Sequence, residues 1–327
     1  MTFTNFIVIY TMRFPKGKII LENTRLEFIN LDKVLSAVKR ERAHRISGYI
    51  SIIYYDVVEL IFLKEGEPFN AARISQNTRE IVPINDVIEK AKKSNEGILA
   101  EYATDETLIN LIISSIMLQP MKADIDFSRM QPKVFIDKLK DTKFNGFILV
   151  KSNLGESLLY FNNGEIAGCY IAGSAQKLQG EDIITFLNTP NIKISVFDHI
   201  EELATTQATP AYFSMFFKIF SSLLQGYAQP MGPVLVLKTA IIAKATTQKE
   251  FPFIEQCKIG ADLSVKGNLV VEPKILVQGM ARWFDLIFES FSTLLGKESE
   301  VIAEKVLHDY RFALKSLNFF EYTKLKI

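Results

Sequence analysis

The sequence predicts an α+β protein with two tandem repeats of an antiparallel β-meander flanked by helices, followed by a C-terminal α+β/helical module. Three observations support this fold class: a self-similarity at a spacing of 98 residues, β-branched runs separated by turn residues, and apolar stripes at helical spacing in the last third. Because a domain usually spans about 100–150 residues, we divide the chain into residues 13–120, 128–208 and 209–327.

The composition is that of an ordinary globular protein, with 48% hydrophobic and 23% charged residues. The 38 basic and 37 acidic residues nearly cancel, so no overall footprint for nucleic acid or for an anionic membrane is expected. The best local basic patch consists of Lys39, Arg40, Arg42, His44 and Arg45. A solvated helix end that leads into a turn is the more common origin of such a run, and we favour that interpretation.

The two cysteines, Cys169 and Cys257, fit a reducing, cytoplasmic location, and each is expected to be a buried thiol. The sequence has no CxxC, HxxxH or HExxH pattern, so neither a metal site nor a cofactor is predicted. No run reaches the ~18–20 apolar residues of a membrane span, so stable membrane insertion is not expected. Residues 1–11 lack the basic start and the cleavage site of a signal peptide, and Met12 is a second candidate start.

An internal repeat aligns residues 46–72 with residues 144–170 without gaps. Identity is low, but both copies keep the apolar alternation and two glycines. These glycines are Gly48 and Gly66 in the first copy and Gly146 and Gly164 in the second. A glycine that opens a strand indicates a turn or a close backbone approach. Asn163-Gly164 is typical of a type I′ hairpin turn, in which both residues take positive φ.

Each copy is predicted to contain three consecutive strands between helices. The strands are 48–52, 59–63 and 68–74 in the first copy and 146–150, 157–161 and 166–171 in the second. Apolar residues at helical spacing predict helices before each meander, at 31–38 and 134–139, and after it, at 84–93 and 181–187. A strand-like run follows at 97–102 and 192–197, and a last helix at 105–118 and from 201 onward.

Glu67 and Glu165 follow the turn glycines of the two copies. A pair of ligand-binding carboxylates is one interpretation of them. A glutamate beside a hairpin turn serves more often for chain reversal and solvation, so we assign no function to this pair.

Several of these segments resemble the PATAN (PatA N-terminal) domain family. In the first copy they are Phe14-Pro15-Lys16-Gly17-Lys18-Ile19, Gly48-Tyr49-Ile50, Leu60-Ile61-Phe62, Glu65-Gly66-Glu67 and Ala71-Ala72. In the second copy they are Asn145-Gly146-Phe147-Ile148, Leu159-Tyr160-Phe161 and Asn163-Gly164-Glu165-Ile166-Ala167-Gly168. The resemblance covers residues 13–120 and 128–205 and consists mostly of apolar positions and two glycines, so the last third stays unexplained by it.

The resemblance implies a non-catalytic bacterial signalling module that mediates protein–protein contacts and is often joined to a response-regulator receiver domain. This chain departs from that arrangement, because nothing in it matches the acidic pair, phospho-acceptor aspartate and lysine of a receiver. A phosphorelay input within the chain is therefore not supported.

An aromatic-rich helix is predicted at 211–225, after Thr209-Pro210. Its apolar arc is broad for an amphipathic helix, and we favour core packing between domains over a partner-binding or membrane-surface helix. If a partner does bind this third of the chain, the candidate interaction surface comprises Phe213, Phe216, Phe217, Phe220 and Trp283.

The rest of the last third combines ambiguous and clear segments. Residues 234–243 are an apolar run that fits either a strand or a buried helix, and residues 261–265 and 268–271 flank Lys266-Gly267 as a possible hairpin. Helices at 275–295 and 299–317, separated by Gly296, predict an αα-hairpin. Gly296-Lys297 lacks the other residues of a phosphate-binding loop, and His308-Asp309 is more typical of a surface pair than of a catalytic triad.

These features favour a non-catalytic regulatory or scaffold protein that binds other signalling proteins, with homodimerisation through the aromatic C-terminal helices. The alternative is a sensor that holds a small apolar ligand or a lipid between sheet and helices. The 25 Phe and 11 Tyr residues permit such a pocket without requiring one. An enzyme is the third option, and it would need converging titratable groups that the sequence does not indicate.

Overall fold

The computed structural model describes residues 13–40, 46–75, 77–127, 130–200 and 206–325, and the described part of the chain forms two compact units, residues 1–204 and 205–327. Helices and antiparallel strands make up both units, which confirms the predicted α+β class. None of the described helices is long and apolar enough to cross a lipid bilayer.

The first copy of the repeat forms a six-stranded antiparallel sheet in the first unit. Its elements are β1 (Lys18–Arg25), a 3₁₀ turn (Leu26–Phe28), α1 (Leu31–Arg40), β2 (Gly48–Ile53), β3 (Val57–Lys64), β4 (Glu67–Ser75), β5 (Arg79–Ile81), α2 (Ile84–Lys93), β6 (Ile98–Ala103) and α3 (Glu106–Met117). The strand order is β1-β6-β2-β3-β4-β5.

The second copy forms a five-stranded sheet in the same unit. Its elements are β7 (Lys122–Asp126), α4 (Pro132–Asp141), β8 (Gly146–Ser152), β9 (Gly155–Asn162), β10 (Glu165–Tyr170), α5 (Glu181–Leu187) and β11 (Lys193–Phe197). The order β10-β9-β8-β11-β7 reproduces that of the first sheet without β5. The duplication therefore holds at the level of topology.

The hairpin turns confirm the register of the repeat. Both turns have two consecutive residues with positive φ, as a type I′ turn requires: Glu65 at 49° and Gly66 at 81°, and Asn163 at 52° and Gly164 at 83°. The amide of each turn glycine also donates a 2.8 Å hydrogen bond to the carbonyl at the matching position before the meander, from Gly66 to Ile46 and from Gly164 to Phe144.

The glycines that open the strands are required by close backbone approach. A Cβ on Gly48 would lie 1.9 Å from the Tyr102 carbonyl oxygen, and one on Gly146 would lie 2.1 Å from the Phe197 carbonyl oxygen. Tyr102 and Phe197 belong to the equivalent neighbouring strands β6 and β11. All four repeat glycines thus have a structural cause.

One helix serves both sheets of the first unit. Helices α1 and α2 cover the outer face of the first sheet, and α4 and α5 cover that of the second. The central core joins the inner faces of both sheets to α3, for example Leu60 and Leu158 with Leu108 and Ile112 between the layers. The second copy therefore lacks a helix of its own on its inner face in the described residues.

Polar contacts also join the two copies. Arg79 on β5 makes a two-pronged ion pair with the buried Glu156 on β9, and one of its hydrogen bonds measures 2.9 Å. Asp105, before α3, accepts hydrogen bonds from Lys177 Nζ at 2.7 Å and from the Tyr170 hydroxyl at 3.1 Å. Because these contacts cross between copies, the repeat is one folded body rather than two separate modules.

The second unit is mainly helical. Its elements are α6 (Pro210–Met231), α7 (Pro233–Glu250), a 3₁₀ turn (Pro252–Gln256), β12 (Lys258–Ile259), β13 (Val265–Lys266), α8 (Pro273–Leu295), α9 (Lys297–His308), α10 (Arg311–Ser316) and α11 (Phe319–Tyr322). Residues 234–243, ambiguous in sequence, belong to helix α7. The two long helices α6 and α8 supply most of the aromatic core.

Three predicted elements of the chain differ from the structure. The hairpin pairs Lys258–Ile259 with Val265–Lys266, so its turn lies at 260–264 and not at Lys266-Gly267. The helix predicted at 299–317 is broken at Asp309-Tyr310. Of the helix predicted from 201 onward, residues 201–205 lie outside the described residues, and residues 206–209 are not helical. Residues 1–11 and Met12 also lie outside the described residues.

Candidate functional site

The predicted aromatic interaction surface lies inside the protein. Phe216, Phe220 and Trp283 are fully buried, Phe213 is nearly so, and Phe217 packs against the same core. Their rings contact one another, with 4.5 Å between the centroids of Phe220 and Trp283. This corrects the assignment of these five residues as a surface: the broad apolar arc packs into a core, and that core lies within the second unit rather than between domains.

The other residues singled out in the sequence do not form a site. Glu165 makes an exposed 2.7 Å ion pair with Lys140, while Glu67 lies on the other sheet. His308 and Asp309 are an exposed pair. The side chains of the basic patch, Lys39, Arg40, Arg42, His44 and Arg45, lie outside the described residues.

Both cysteines are buried free thiols, as predicted. Burial raises the pKa of Cys169 and of Cys257 to about 12, so neither thiol is a reactive nucleophile at neutral pH. Within the described ranges, no group of three or more His, Cys, Asp and Glu side chains is placed to hold a metal ion.

Helix α7 presents an aliphatic face to solvent. Val236, Ala240, Ala243 and Thr247 form its buried side, which packs against α6 and α8. The opposite side carries four exposed aliphatic residues, namely Val234 (67% exposed), Leu235 (42%), Ile241 (49%) and Ile242 (67%). They form two pairs one heptad apart, which is the spacing of a helix-packing seam. We call this surface the α7 face.

Lysines lie between and beyond these aliphatic pairs. Lys238 falls between the two pairs along the helix, and Lys249 lies two turns after Ile242. Neither lysine has an ion-pair or hydrogen-bond partner among the described residues. The only acidic residue of α7, Glu250, already pairs with Arg282 at 3.4 Å. The α7 face is therefore both apolar and cationic.

A buried charge cluster lies on the outer face of the first sheet. Oε1 of the fully buried Glu59 accepts hydrogen bonds from Arg73 Nε at 2.8 Å and from Lys90 Nζ at 3.1 Å. The Lys90 ammonium also lies 4.0 Å from the centre of the Tyr54 ring. In the second copy the positions of Glu59 and Arg73 are occupied by Ser157 and Ile171. Because Lys90 belongs to α2, this cluster links α2 to the sheet of the first copy. The second copy has no equivalent of the Glu59–Arg73 pair.

A cleft of about 750 Å³ that is open to solvent lies beside the second sheet. It lies where β8 begins, where β9 and β11 end, and against the first turns of α3. Its lining residues are Thr107, Asn110, Asn145, Gly146, Tyr160, Phe161, Asn162, Asp198, His199 and Ile200. His199 Nδ1 and Asp198 Oδ1 are 2.7 Å apart, and this hydrogen bond holds the pKa of Asp198 below its usual value.

The cleft arises where the two copies differ. Helix α3 follows β6 directly and packs against both sheets, whereas the described residues just after β11 are not helical. In the register of the repeat, Tyr160 and Asn162 replace Phe62 and Lys64 of the first copy. The change from phenylalanine to tyrosine adds a hydroxyl, and the change from lysine to asparagine removes a positive charge. The sequence thus contained a signal at these strand ends, but only the packing of α3 shows that the residues surround one cleft.

Comparison with known protein families, with curated proteins and with solved structures finds no match to this chain. The resemblance to PATAN domains therefore stays a prediction. Any functional assignment rests on the α7 face and the cleft themselves.

Proposed function

We propose that this chain is a non-catalytic regulatory or scaffold protein that binds a signalling partner through the α7 face. The observation that carries the proposal is four exposed aliphatic side chains on one helix, with the unpaired Lys238 between them and the unpaired Lys249 two turns beyond. Exposed apolar side chains grouped on one helix face are typical of helix-in-groove or helix-on-helix recognition.

The charge of the α7 face favours one kind of partner. A parallel α7–α7 pair would set Lys238 against its copy, and an antiparallel pair centred on Ile241–Ile242 would bring Lys249 within about one turn of the other Lys238. With no free acidic side chain on α7 to offset them, like charges oppose both arrangements. We therefore propose an amphipathic helix with aliphatic residues at heptad spacing and glutamate or aspartate between them.

The test uses the full chain and a fluorescently labelled helical peptide with leucine at heptad spacing and glutamate between the leucines. We expect saturable binding by fluorescence anisotropy. Ile242→Asp should weaken binding about thirty-fold, because it loses about 2 kcal/mol of apolar burial and adds a charge beside glutamate. Lys238→Glu combined with Lys249→Glu should also weaken it, and more strongly at low salt.

Val301→Asp is the matched control, because Val301 is an aliphatic residue of the same unit with a similar exposure of 62%. It should bind the peptide as well as the wild type does. A second peptide with lysine in place of glutamate should bind poorly. Equal binding of both peptides would overturn the proposal, as would binding to phosphatidylglycerol vesicles but not to the acidic peptide. A dimer that Ile242→Asp disrupts, seen by light scattering, would instead indicate self-association.

A further inference from the structure

The cleft beside the second sheet offers unpaired hydrogen-bonding groups on several walls. Among the described residues, the side chains of Thr107, Asn110, Tyr160 and Asn162 have no hydrogen-bond partner, and all four line the cleft. His199 Nδ1 is occupied by Asp198, which leaves Nε2 of the ring available. The cleft thus combines hydroxyl, amide and imidazole groups that donate and accept.

The electrostatics of the cleft select against anions. None of the described residues that line it is a lysine or an arginine, and Asp198 is its only carboxylate. Because the His199 hydrogen bond favours the ionised form of Asp198, this carboxylate is an acceptor at neutral pH. A phosphate or carboxylate ligand would face this negative charge without a compensating cation.

The Tyr160 ring gives the cleft an apolar surface. The half-buried Tyr160 packs against the central core while its hydroxyl stays unpaired, whereas the ring of Phe161, its neighbour on β9, is buried on the outer face of the sheet. A sugar ring has one face of C–H groups and a rim of hydroxyls, so it matches an apolar surface of this kind surrounded by amides. The volume of about 750 Å³ lies within the usual range of small-molecule sites, about 300–1,000 Å³.

From this geometry we infer that the cleft is a binding site for a neutral polyhydroxylated ligand, a mono- or disaccharide. The Asn110 and Asn162 amides and the Tyr160 and Thr107 hydroxyls bind the sugar hydroxyls. Asp198 accepts from a further hydroxyl, and His199 is positioned by Asp198. The site lies at the strand ends of the second copy, against the first turns of α3. This inference lies in the first unit and does not depend on the α7 face.

The experiment is saturation-transfer difference NMR on the full chain with glucose, maltose and N-acetylglucosamine as probes. We expect saturation transfer to at least one of them, with a dissociation constant on the order of 1 mM. Tyr160→Phe keeps the ring and removes the hydroxyl, and Asn162→Ala removes an exposed amide. Each should weaken binding about five-fold, the effect of one lost hydrogen bond.

Two controls make the result decisive. Asn188→Ala removes an exposed asparagine at the end of α5, outside the cleft, and should leave the affinity unchanged. Glucose 6-phosphate should bind more weakly than glucose because of Asp198. The inference is overturned if none of the three neutral sugars shows saturation transfer. It is also overturned if Tyr160→Phe and Asn162→Ala both bind with unchanged affinity, or if glucose 6-phosphate binds more tightly than glucose. Peptide binding by the α7 face should be unchanged in the cleft variants, so the two proposals fail separately.

Discussion

Replacing three glycines of the first unit by alanine separates the two physical reasons for which a chain needs glycine. Gly48 excludes a side chain only because the Tyr102 carbonyl oxygen would lie 1.9 Å from its Cβ. Gly180 has open space around its Cβ but takes φ of 55°, which alanine adopts only with strain. Gly146 combines both conditions, with φ of 150° and the Phe197 carbonyl oxygen at 2.1 Å.

The expected losses of stability follow from these geometries. Strain alone at Gly180→Ala should reduce the free energy of unfolding by about 2 kcal/mol, because φ of 55° with ψ of −128° lies outside the left-handed helical region. A new methyl group against a hydrogen-bonded strand forces the two strands apart, so Gly48→Ala should reduce it by about 3 kcal/mol. Gly146→Ala adds backbone strain to a similar clash and should lose about 4 kcal/mol. Each loss is smaller than the stability of an ordinary domain, about 5–15 kcal/mol.

Urea unfolding measures these losses for each unit. The single tryptophan, Trp283, is buried in the second unit, so its emission follows that unit. Far-UV circular dichroism follows both units, and its transition should move to lower urea in the glycine variants while the tryptophan transition stays in place. The reasoning is refuted if Gly48→Ala costs no more than Gly180→Ala, because the clash at the strand opening would then have no energetic weight.

Two further predictions concern the contacts between the copies. Arg79→Ala leaves the buried Glu156 carboxylate without its partner and should destabilise the first unit by about 3 kcal/mol by urea unfolding. Arg79→Leu with Glu156→Met replaces the pair by apolar residues of similar volume and should recover most of that loss; equal losses would contradict this reasoning. Burial raises the pKa of Asp105, but hydrogen bonds from Lys177 and the Leu108 amide outweigh it and hold the pKa below its usual value. Its contribution, about 0.5 kcal/mol at this half-exposed site, is therefore present above about pH 4 and is lost as the pH falls through the lower folded value. Asp105→Asn keeps a helix cap, so unfolding curves from pH 3 to pH 6 should show less pH dependence than the wild type, and an unchanged dependence would contradict the assignment.

Local sequence patterns predicted the helices and strands in which buried residues recur at a regular spacing. The helices at 84–93 and 181–187 have the predicted bounds, because their apolar residues recur at helical spacing against one sheet. The turn at Asn163-Gly164 followed from a dipeptide that tolerates positive φ, and the turn at Glu65-Gly66 followed from its glycine and from the register of the repeat. Edge strands β1 and β7 were missed, because most of their side chains are exposed and give no alternation. These strands form only because β6 and β11 present free backbone groups.

Local sequence patterns could not predict the α7 face or the cleft, because both depend on tertiary packing. The apolar run of α7 looked like core in the sequence, and only packing against α6 and α8 determines which of its sides stays exposed. The polar residues of the cleft are far apart in the chain and meet because α3 lies between both sheets.

By itself the sequence determined the α+β class, the duplicated meander with its register, and the structural need for its four glycines. These depend on side-chain periodicity and on φ preferences, which act over a few residues. The tertiary structure decided that the copies share one core, that the aromatic helix is buried, and that α7 and the cleft face solvent. Burial is set by residues distant in sequence, so it appears only once the layers have packed.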